Sequence, residues 1–298
     1  MMRGRVAAAA LLLAVWTTAG GHAQAASPSA VPWKSVRLQA EKLTGRITAE
    51  VRIEPEAAEP LPPGLWPAVK SDPLRPSGKS VLRLTVAAVI DPLGVASLRM
   101  ENRLWFDPLS RSPLRLFRSR LGMDEYAQWF VFGRDQVFRR QLEPANTGQL
   151  ALPPESWTRG GETVYDFQNE ICPFSIETSM LIYTLSEAVA KGVLDLPPRC
   201  VFHKRQLHQL SFKVQRREQV AYDYLELGEG GPQRRKGAAA AVRIRISSAP
   251  IGSFHGSVEP WFKDAYLTIS ADGRLPLEVA CDFPVIGHVE LHLDQIRF

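Results

Sequence analysis

Apolar and polar positions alternate over long stretches of the chain, most clearly at its end. In Tyr266-Leu267-Thr268-Ile269-Ser270, and again at Val289, Leu291 and Leu293, apolar side chains recur at every second residue. That is the period of a strand with one buried face. Asp272-Gly273 lies between two such runs and supplies the positive φ of a tight turn, since glycine has no Cβ to clash. Residues 261–283 therefore read as one hairpin and 286–297 as the next strand, with Pro284 as the break. Near the start, Ser35 to Ile53 alternates so that Ile47, Ala49, Val51 and Ile53 share a face. A proline-dense stretch, 55–77, follows; it can neither continue a helix nor donate to a ladder. It is expected to be an exposed connection between two paired strands, because strand character resumes at Val81-Leu82-Arg83-Leu84-Thr85-Val86. Further strands are predicted over 95–106, 113–120, 127–132, 136–142, 200–215, 220–227, 241–248 and 257–270. Residues 143–161 read as loop and 228–237 as a hairpin tip.

One stretch breaks the alternation. A helix is predicted over 173–191, with Pro173 in the first turn and Gly192 as its stop. Its apolar residues, Phe174, Met180, Leu181, Ile182, Tyr183, Leu185, Ala188 and Val189, cover more than a narrow stripe, the pattern of a largely buried helix. The fold class that follows is mainly β. We expect a curved antiparallel sheet, an unclosed half-barrel, with one main helix packed on its concave face.

Composition adds the cellular address. The chain opens Met1-Met2-Arg3-Gly4-Arg5, runs apolar from Val6 to Trp16 and reaches Ala23-Gln24-Ala25, the form of a secretory leader cleaved after Ala25. The apolar run is too short to remain as a membrane span. The expected product is periplasmic or secreted, a single β-rich domain over 26–298. Its formal charge of +5 falls by two with Arg3 and Arg5, too mild and too dispersed for a nucleic-acid binder. No later run is long enough to cross a bilayer as a helix. Counting back from Phe298 in twos gives Ile296, Asp294, His292 and Glu290, polar where an outer-membrane strand would face lipid. A transmembrane protein is therefore not expected.

Candidate chemistry is sparse. His288, Glu290 and His292 point to one face of the last strand, with Asp294 next. The two histidines would lie ~13 Å apart at strand rise, too far to share an ion, so they read as a solvated polar face. Cys200, His203 and His208 form an equally weak set. Gly252-Ser253-Phe254-His255-Gly256 departs from the Gly-x-Ser-x-Gly elbow, although Ser253 and His255 remain the residues a hydrolase would need. No phosphate-cradling loop and no His-Glu-x-x-His motif occurs. No catalytic residue, metal or cofactor is assigned. The Arg234-Arg235-Lys236 tip reads as a solvated loop. Aromatic residues crowd the first half, and most belong in an ordinary core. The sharper expectation is an apolar cavity between sheet and helix lined by Trp105, Trp129, Phe132, Leu181 and Leu185.

Two hairpins carry a resemblance. Asp107-Pro108-Leu109-Ser110-Arg111-Ser112-Pro113-Leu114-Arg115 and its counterpart Asp272-Gly273-Arg274-Leu275-Pro276-Leu277 resemble hairpins of the LolA-like half-barrel, the periplasmic lipoprotein carriers. They resemble more closely those of exported bacterial proteins known only as a domain of unknown function. The resemblance implies an unclosed half-barrel with helix inside and an apolar ligand such as an acyl chain; it brings no ligand-contact residue with it. The expected function is a non-enzymatic periplasmic binding or carrier protein for a lipid-like or other apolar ligand. A cell-envelope scaffold that binds proteins through sheet edges is the alternative, and a hydrolase with an unrecognised site is the third.

Three cysteines in an exported chain imply one disulfide and one spare thiol. Cys172 and Cys200 bracket the helix, so a bridge between them would clamp both of its ends and stabilise by roughly 3 to 4 kcal/mol on the chain-entropy account. Cys281 alternates with Leu277, Val279 and Phe283 and reads as a buried small hydrophobe. Intact-mass measurement after denaturing alkylation should find one modified cysteine without reductant and three with it. A bridge mapped to Cys281 would overturn the pairing.

Overall fold

The computed structural model describes residues 31–42, 45–59, 66–67, 72–93, 96–122, 124–166, 174–203, 206–251, 265–283 and 287–298. The first eight strands are β1 (Ser35–Lys42), β2 (Gly45–Ala57), β3 (Ser80–Pro92), β4 (Leu98–Phe106), β5 (Pro113–Leu121), β6 (Tyr126–Phe132), β7 (Gln136–Glu143) and, after a short helix α1 (Thr147–Leu150), β8 (Arg159–Asp166). Then come β9 (Phe174–Ile176), helix α2 (Leu181–Ala190), β10 (Arg199–His203), β11 (Gln206–Gly228), β12 (Gly231–Pro250), β13 (Ala265–Ser270), β14 (Pro276–Phe283) and β15 (Gly287–Arg297). All fifteen belong to one sheet in the order 8-7-6-5-4-3-2-1-15-14-13-12-11-10-9.

That order is two meanders joined in the middle. Strands β1 to β8 pair each with the next, strands β10 to β15 do the same, and β1 then pairs antiparallel with β15, setting Val36 opposite Ile296. The first and last strands thus occupy the centre of the sheet. Sheet twist accumulates over so many strands, and the sheet rolls until its two ends face each other. Tyr165 on β8 packs its ring against Phe202 on β10, with centroids 5.1 Å apart, although those strands share no ladder. A local return closes part of the second half, where Leu225 and Glu226 of β11 lie parallel to Gln295 and Ile296 of β15. The result is the expected curved, mainly antiparallel and unclosed sheet.

Inside the roll sits α2, with Leu181, Ile182, Tyr183, Leu185, Ser186, Glu187, Ala188 and Val189 all buried. Its packing partners come from both meanders. Phe106 of β4 meets Tyr183 at 5.5 Å between ring centroids, and Arg111 of the β4–β5 turn holds its guanidinium 5.3 Å above the same ring. From the other side Gly273, in the β13–β14 turn, lies so close that an added Cβ would come within 2.5 Å of Ala190. Each fully buried large apolar side chain here contributes about 1.5 to 3 kcal/mol.

Two ion pairs tie the helix to the first meander. Arg111 Nη2 donates to Glu187 Oε1 at 2.8 Å, and Lys191 Nζ to the same oxygen at 2.6 Å. Arg118 Nη2 donates to Glu177 Oε1 at 3.1 Å, while Glu177 Oε2 accepts the Ser179 backbone N–H at 2.6 Å. Glu177 therefore both neutralises Arg118 and caps the 3-10 turn, Thr178–Met180, that leads into α2. Here the structure corrects the expected helix over 173–191. Residues 174–176 instead extend as β9 against β10, because the cap at Glu177 fixes where helical turns begin. The stop is as expected: Gly192 adopts φ +70°.

Other boundaries shift too. The expected loop at 143–161 contains α1 and the start of the edge strand β8, whose nearly all-exposed side chains give no apolar period. The expected strand 200–215 divides into β10 and β11, and β11 with β12 forms one continuous ribbon from Gly228 opposite Gly231 to His208 opposite Pro250. Its basic residues pair across the ribbon, Arg234 with Asp223 at 2.6 Å and Arg235 with Glu226 at 2.8 Å. The strand expected from 257 is described only from Ala265. Both turns of the repeated hairpin motif are closed by their aspartate. Asp107 accepts from the Ser110 N–H at 3.0 Å and Ser77 Oγ at 2.7 Å; Asp272 accepts from the Arg274 N–H at 3.0 Å and Ser270 Oγ at 2.5 Å. Burial raises the Asp107 pKa, but the hydrogen bonds from Ser110 and Ser77 outweigh it and hold the carboxyl below its ordinary value. Cys200 is fully buried on β10, Cys281 is a free thiol pushed up to about 11 by burial, and Cys172 lies outside the described residues.

Two glycines separate turn strain from helix contact. Gly273 (φ +74°) and Gly231 (φ +93°) both need the left-handed region, but only Gly273 faces α2; nothing lies within 4 Å of a Cβ built at Gly231. Gly231→Ala should cost about 1 kcal/mol from backbone strain alone. Gly273→Ala should cost about 3 kcal/mol, because the helix backbone must also move. Equal losses in urea unfolding would mean that the turn does not buttress the helix.

Candidate functional site

Beneath α2 the interior is packed. Met180, Tyr183 and Leu185 have no exposed surface, nor do Leu84, Leu104 and Phe106 facing them. Among the described residues, open volume lies beyond the helix's C-terminal end. A cleft of about 640 Å³ lies there, lined by Val189, Gly192 and Leu194 on the helix side and by Ala240, Ala241, Val242 and Ala271 opposite, with Arg217, Glu218 and Gln219 at its rim. That volume is within the usual range for small-molecule sites.

Local sequence accounts for the cleft. Alanine is uncommon in strands, yet Ala238 to Ala241 occupy four consecutive positions of β12. Ala240 and Ala241 are the two of the run that line the cleft, where short side chains fill less of the space beside the helix. Across the ribbon Ala240 pairs with Gln219 and Val242 with Arg217, so two polar side chains share a face with two apolar ones. An irregularity between Val214 and Arg216 shifts the register and so sets which residues of β11 face inward. The helix end is well finished: the N–H groups of Lys191, Gly192 and Val193 donate to Glu187, Val189 and Ala188.

The five residues expected to line an apolar cavity do not share a surface. Phe132, Leu181 and Leu185 belong to the packed interior. Trp129 and Trp105 belong to a second cluster with Phe117, Ala127, Leu142, Trp157 and Trp66 on the outer face of β4 to β7. There Phe117 and Trp129 pack at 5.3 Å, Trp66 meets Trp105 edge-on at 5.7 Å, and Arg115 stacks over both indoles. Trp105 Nε1 donates to Glu56 and Trp157 Nε1 to the Gln149 carbonyl. This cluster is a satellite core beneath the α1 segment. None of the five lines the cleft; of its residues the sequence marks Val189 and Gly192 only as helix face and helix stop, and the small pair Ala240-Ala241 is the signal that could find it. Ser253, His255 and Trp261 fall outside the described residues, as does Cys172.

On the outer face of β14 and β15, His288 and His292 sit beside separate carboxylates. His288 Nδ1 meets Asp282 at 3.0 Å and His292 Nδ1 meets Glu278 at 3.6 Å. Among the described residues no group of three or more His, Cys, Asp or Glu side chains is placed to hold a metal ion. The adjacent Glu278 carboxylate raises the His292 pKa, and His292 in turn lowers that of Glu278. The signs define a window. A raised histidine stabilises fully below its unfolded value near 6.5 and loses this as pH rises through the folded value. A depressed carboxylate stabilises above its unfolded value near 4.5 and loses this as pH falls through the folded one. The pair therefore contributes most between those values, by less than about 1 kcal/mol at such an exposed position. Glu278→Gln should move the His292 imidazole titration, followed by NMR, down toward 6.5; an unmoved midpoint would mean that the two do not interact.

No family model and no curated protein sequence matches the chain. Among solved structures it is similar to the crystal structure of a beta-barrel-like protein of domain of unknown function DUF1849 from Brucella abortus, at 7% identity and a TM-score of 0.44, with 88% of this chain and 94% of that chain covered.

Proposed function

We propose that the protein is an exported, non-enzymatic binding or carrier protein for a lipid-like or other apolar ligand, held in the cleft at the end of α2. The observation that carries this reading is an open cleft of about 640 Å³ with an alanine, valine and leucine floor against a rigid, buried helix. A concave space of this size beside a packed core, with apolar residues in its lining, is where a small ligand is expected. The leader-like start of the sequence and the likeness of its hairpins to LolA-like carriers support the same role and a periplasmic address. A second reading, a scaffold for other envelope proteins, is favoured by β8. That strand ends the sheet with nearly every residue exposed, and among the described residues its outer edge pairs with no other strand, as an edge open to an extended segment would.

Ala240→Trp tests the first reading, because Ala240 is exposed and lines the cleft, so an indole there fills the site without entering the core. Native mass spectrometry of the freshly purified protein should find co-purifying apolar ligand in the unaltered chain and a bare mass in Ala240→Trp. Undiminished ligand in the variant would place binding elsewhere. A bare mass for both, with an envelope protein captured through β8 and lost on Thr163→Pro, would favour the scaffold.

A further inference from the structure

We infer that the cleft accepts a single-chain amphiphile with an anionic head group, the chain lying on the alanine floor and the head at Arg217; this deepens the carrier reading and rests on it. Three observations converge. First, register assigns the charges. Arg217 pairs with Val242 and Gln219 with Ala240, so both polar side chains share one face of the ribbon with two apolar residues of the cleft's lining, while Ala241, paired with Glu218, lies on the other. Arg216, one residue earlier, pairs with Arg243 instead and points to the other face, where its Nε engages Glu218 at 2.8 Å.

Second, the rim is left with a net positive character. Glu218 is the acid among the lining residues, and Arg216 already holds it. Arg217 has no acidic partner among the described residues and is exposed. A guanidinium presents a planar fork that matches a carboxylate or phosphate in two hydrogen bonds. The opposite wall does not cancel it: the last carbonyls of α2 are met by the N–H groups of residues 191 to 193, and Lys191 neutralises Glu187 at 2.6 Å.

Third, size limits the chain. A methylene takes up about as much room as a water molecule, ~30 Å³, so about 640 Å³ accommodates one chain of moderate length and not the two or three of a full phospholipid or lipoprotein anchor. Gln219 beside Arg217 offers an amide that can donate to a second head-group oxygen.

The test titrates the whole mature chain with dodecanoate, dodecyl phosphate, dodecanol and dodecylammonium, followed by native mass spectrometry and intrinsic fluorescence. The expected order is both anions at least tenfold tighter than dodecanol, with dodecylammonium weakest. Dodecanoate tighter than dodecyl phosphate would point to a fatty-acid source, the reverse to a phosphate head. Arg217→Gln should erase the advantage of the anions, and Arg217→Glu should reverse it in favour of dodecylammonium. Lys213→Gln, exposed on the same strand but outside the cleft's lining, should leave the order intact. If dodecanol binds as well as dodecanoate and Arg217→Glu changes neither, while Ala240→Trp abolishes both, the head-group inference is overturned and the carrier reading stands. If Ala240→Trp leaves all four probes bound as before, both fall together.

Discussion

A sheet that rolls its apolar face inward has to fill the space it encloses, and α2 is what fills it. The helix is short, yet its side chains are buried nearly all round. It can be so only because two of its flanking charges are taken up on the sheet wall, Glu177 by Arg118 and Glu187 by Arg111. Burying carboxylates costs several kcal/mol each unless they are paired and hydrogen-bonded. Glu177 meets both conditions, accepting from Arg118, Ser179 and Thr178 at once. Loss of Arg118 would strand the Glu177 charge inside the roll, whereas Glu187 would keep Lys191, so the Arg118 pair fixes the helix's position more than it adds to net stability. Arg111 reaches Glu187 from a backbone with φ +61°, a left-handed conformation that a non-glycine residue adopts at some cost. The Asp107 carbonyl and carboxylate hold that turn in place. The same aspartate device closes the β13–β14 turn, whose Gly273 presses on the far end of the helix. The repeated hairpin motif thus grips α2 from two sides.

Much of this was legible in the pattern of residues, and the exceptions have physical causes. Alternation marked β15 to within a residue, because that strand has one buried and one solvated face, and it marked β13 through its polar residues Thr268 and Ser270, although these are buried too. Leu104-Trp105-Phe106 defeated the same logic. Both faces of β4 are covered, the inner by α2 and the outer by the Trp66 and Trp157 cluster, so period two cannot say which aromatic points inward. That is why Trp105 and Trp129 were grouped with Phe132, Leu181 and Leu185 although they lie on the opposite side of the sheet. The helix start was displaced for a different reason. Proline in the first turn is a statistical preference, whereas a buried carboxylate capping the Ser179 N–H is a specific interaction that depends on Arg118, more than fifty residues away. Nothing local in the sequence reports it. β8 was missed because an edge strand with polar residues on both faces has no hydrophobic period at all.

The place of the cleft follows from a mismatch of lengths. A helix of ten residues spans about 15 Å at 1.5 Å per residue, while a nine-residue strand such as β4 already spans about 30 Å, and β11 and β12 are longer still. One short rod cannot cover the inner wall of such a sheet, so part of that wall must be treated in another way. At the end nearest Glu177 the solution is polar. Arg118 donates to Asn102 and stacks over Phe130, and Gln128, Gln141 and Glu143 hydrogen-bond in series. At the other end, past Gly192, the wall consists of Ala240, Ala241, Val242 and Ala271, and a cleft is left beside them. Ala240 and Ala241 are the two residues of the alanine run that reach it, and they project from opposite faces of β12, since successive strand residues alternate. The shortfall of the helix thus leaves at the surface a small exposed residue, Ala240, next to Arg217, which has no acidic partner among the described residues.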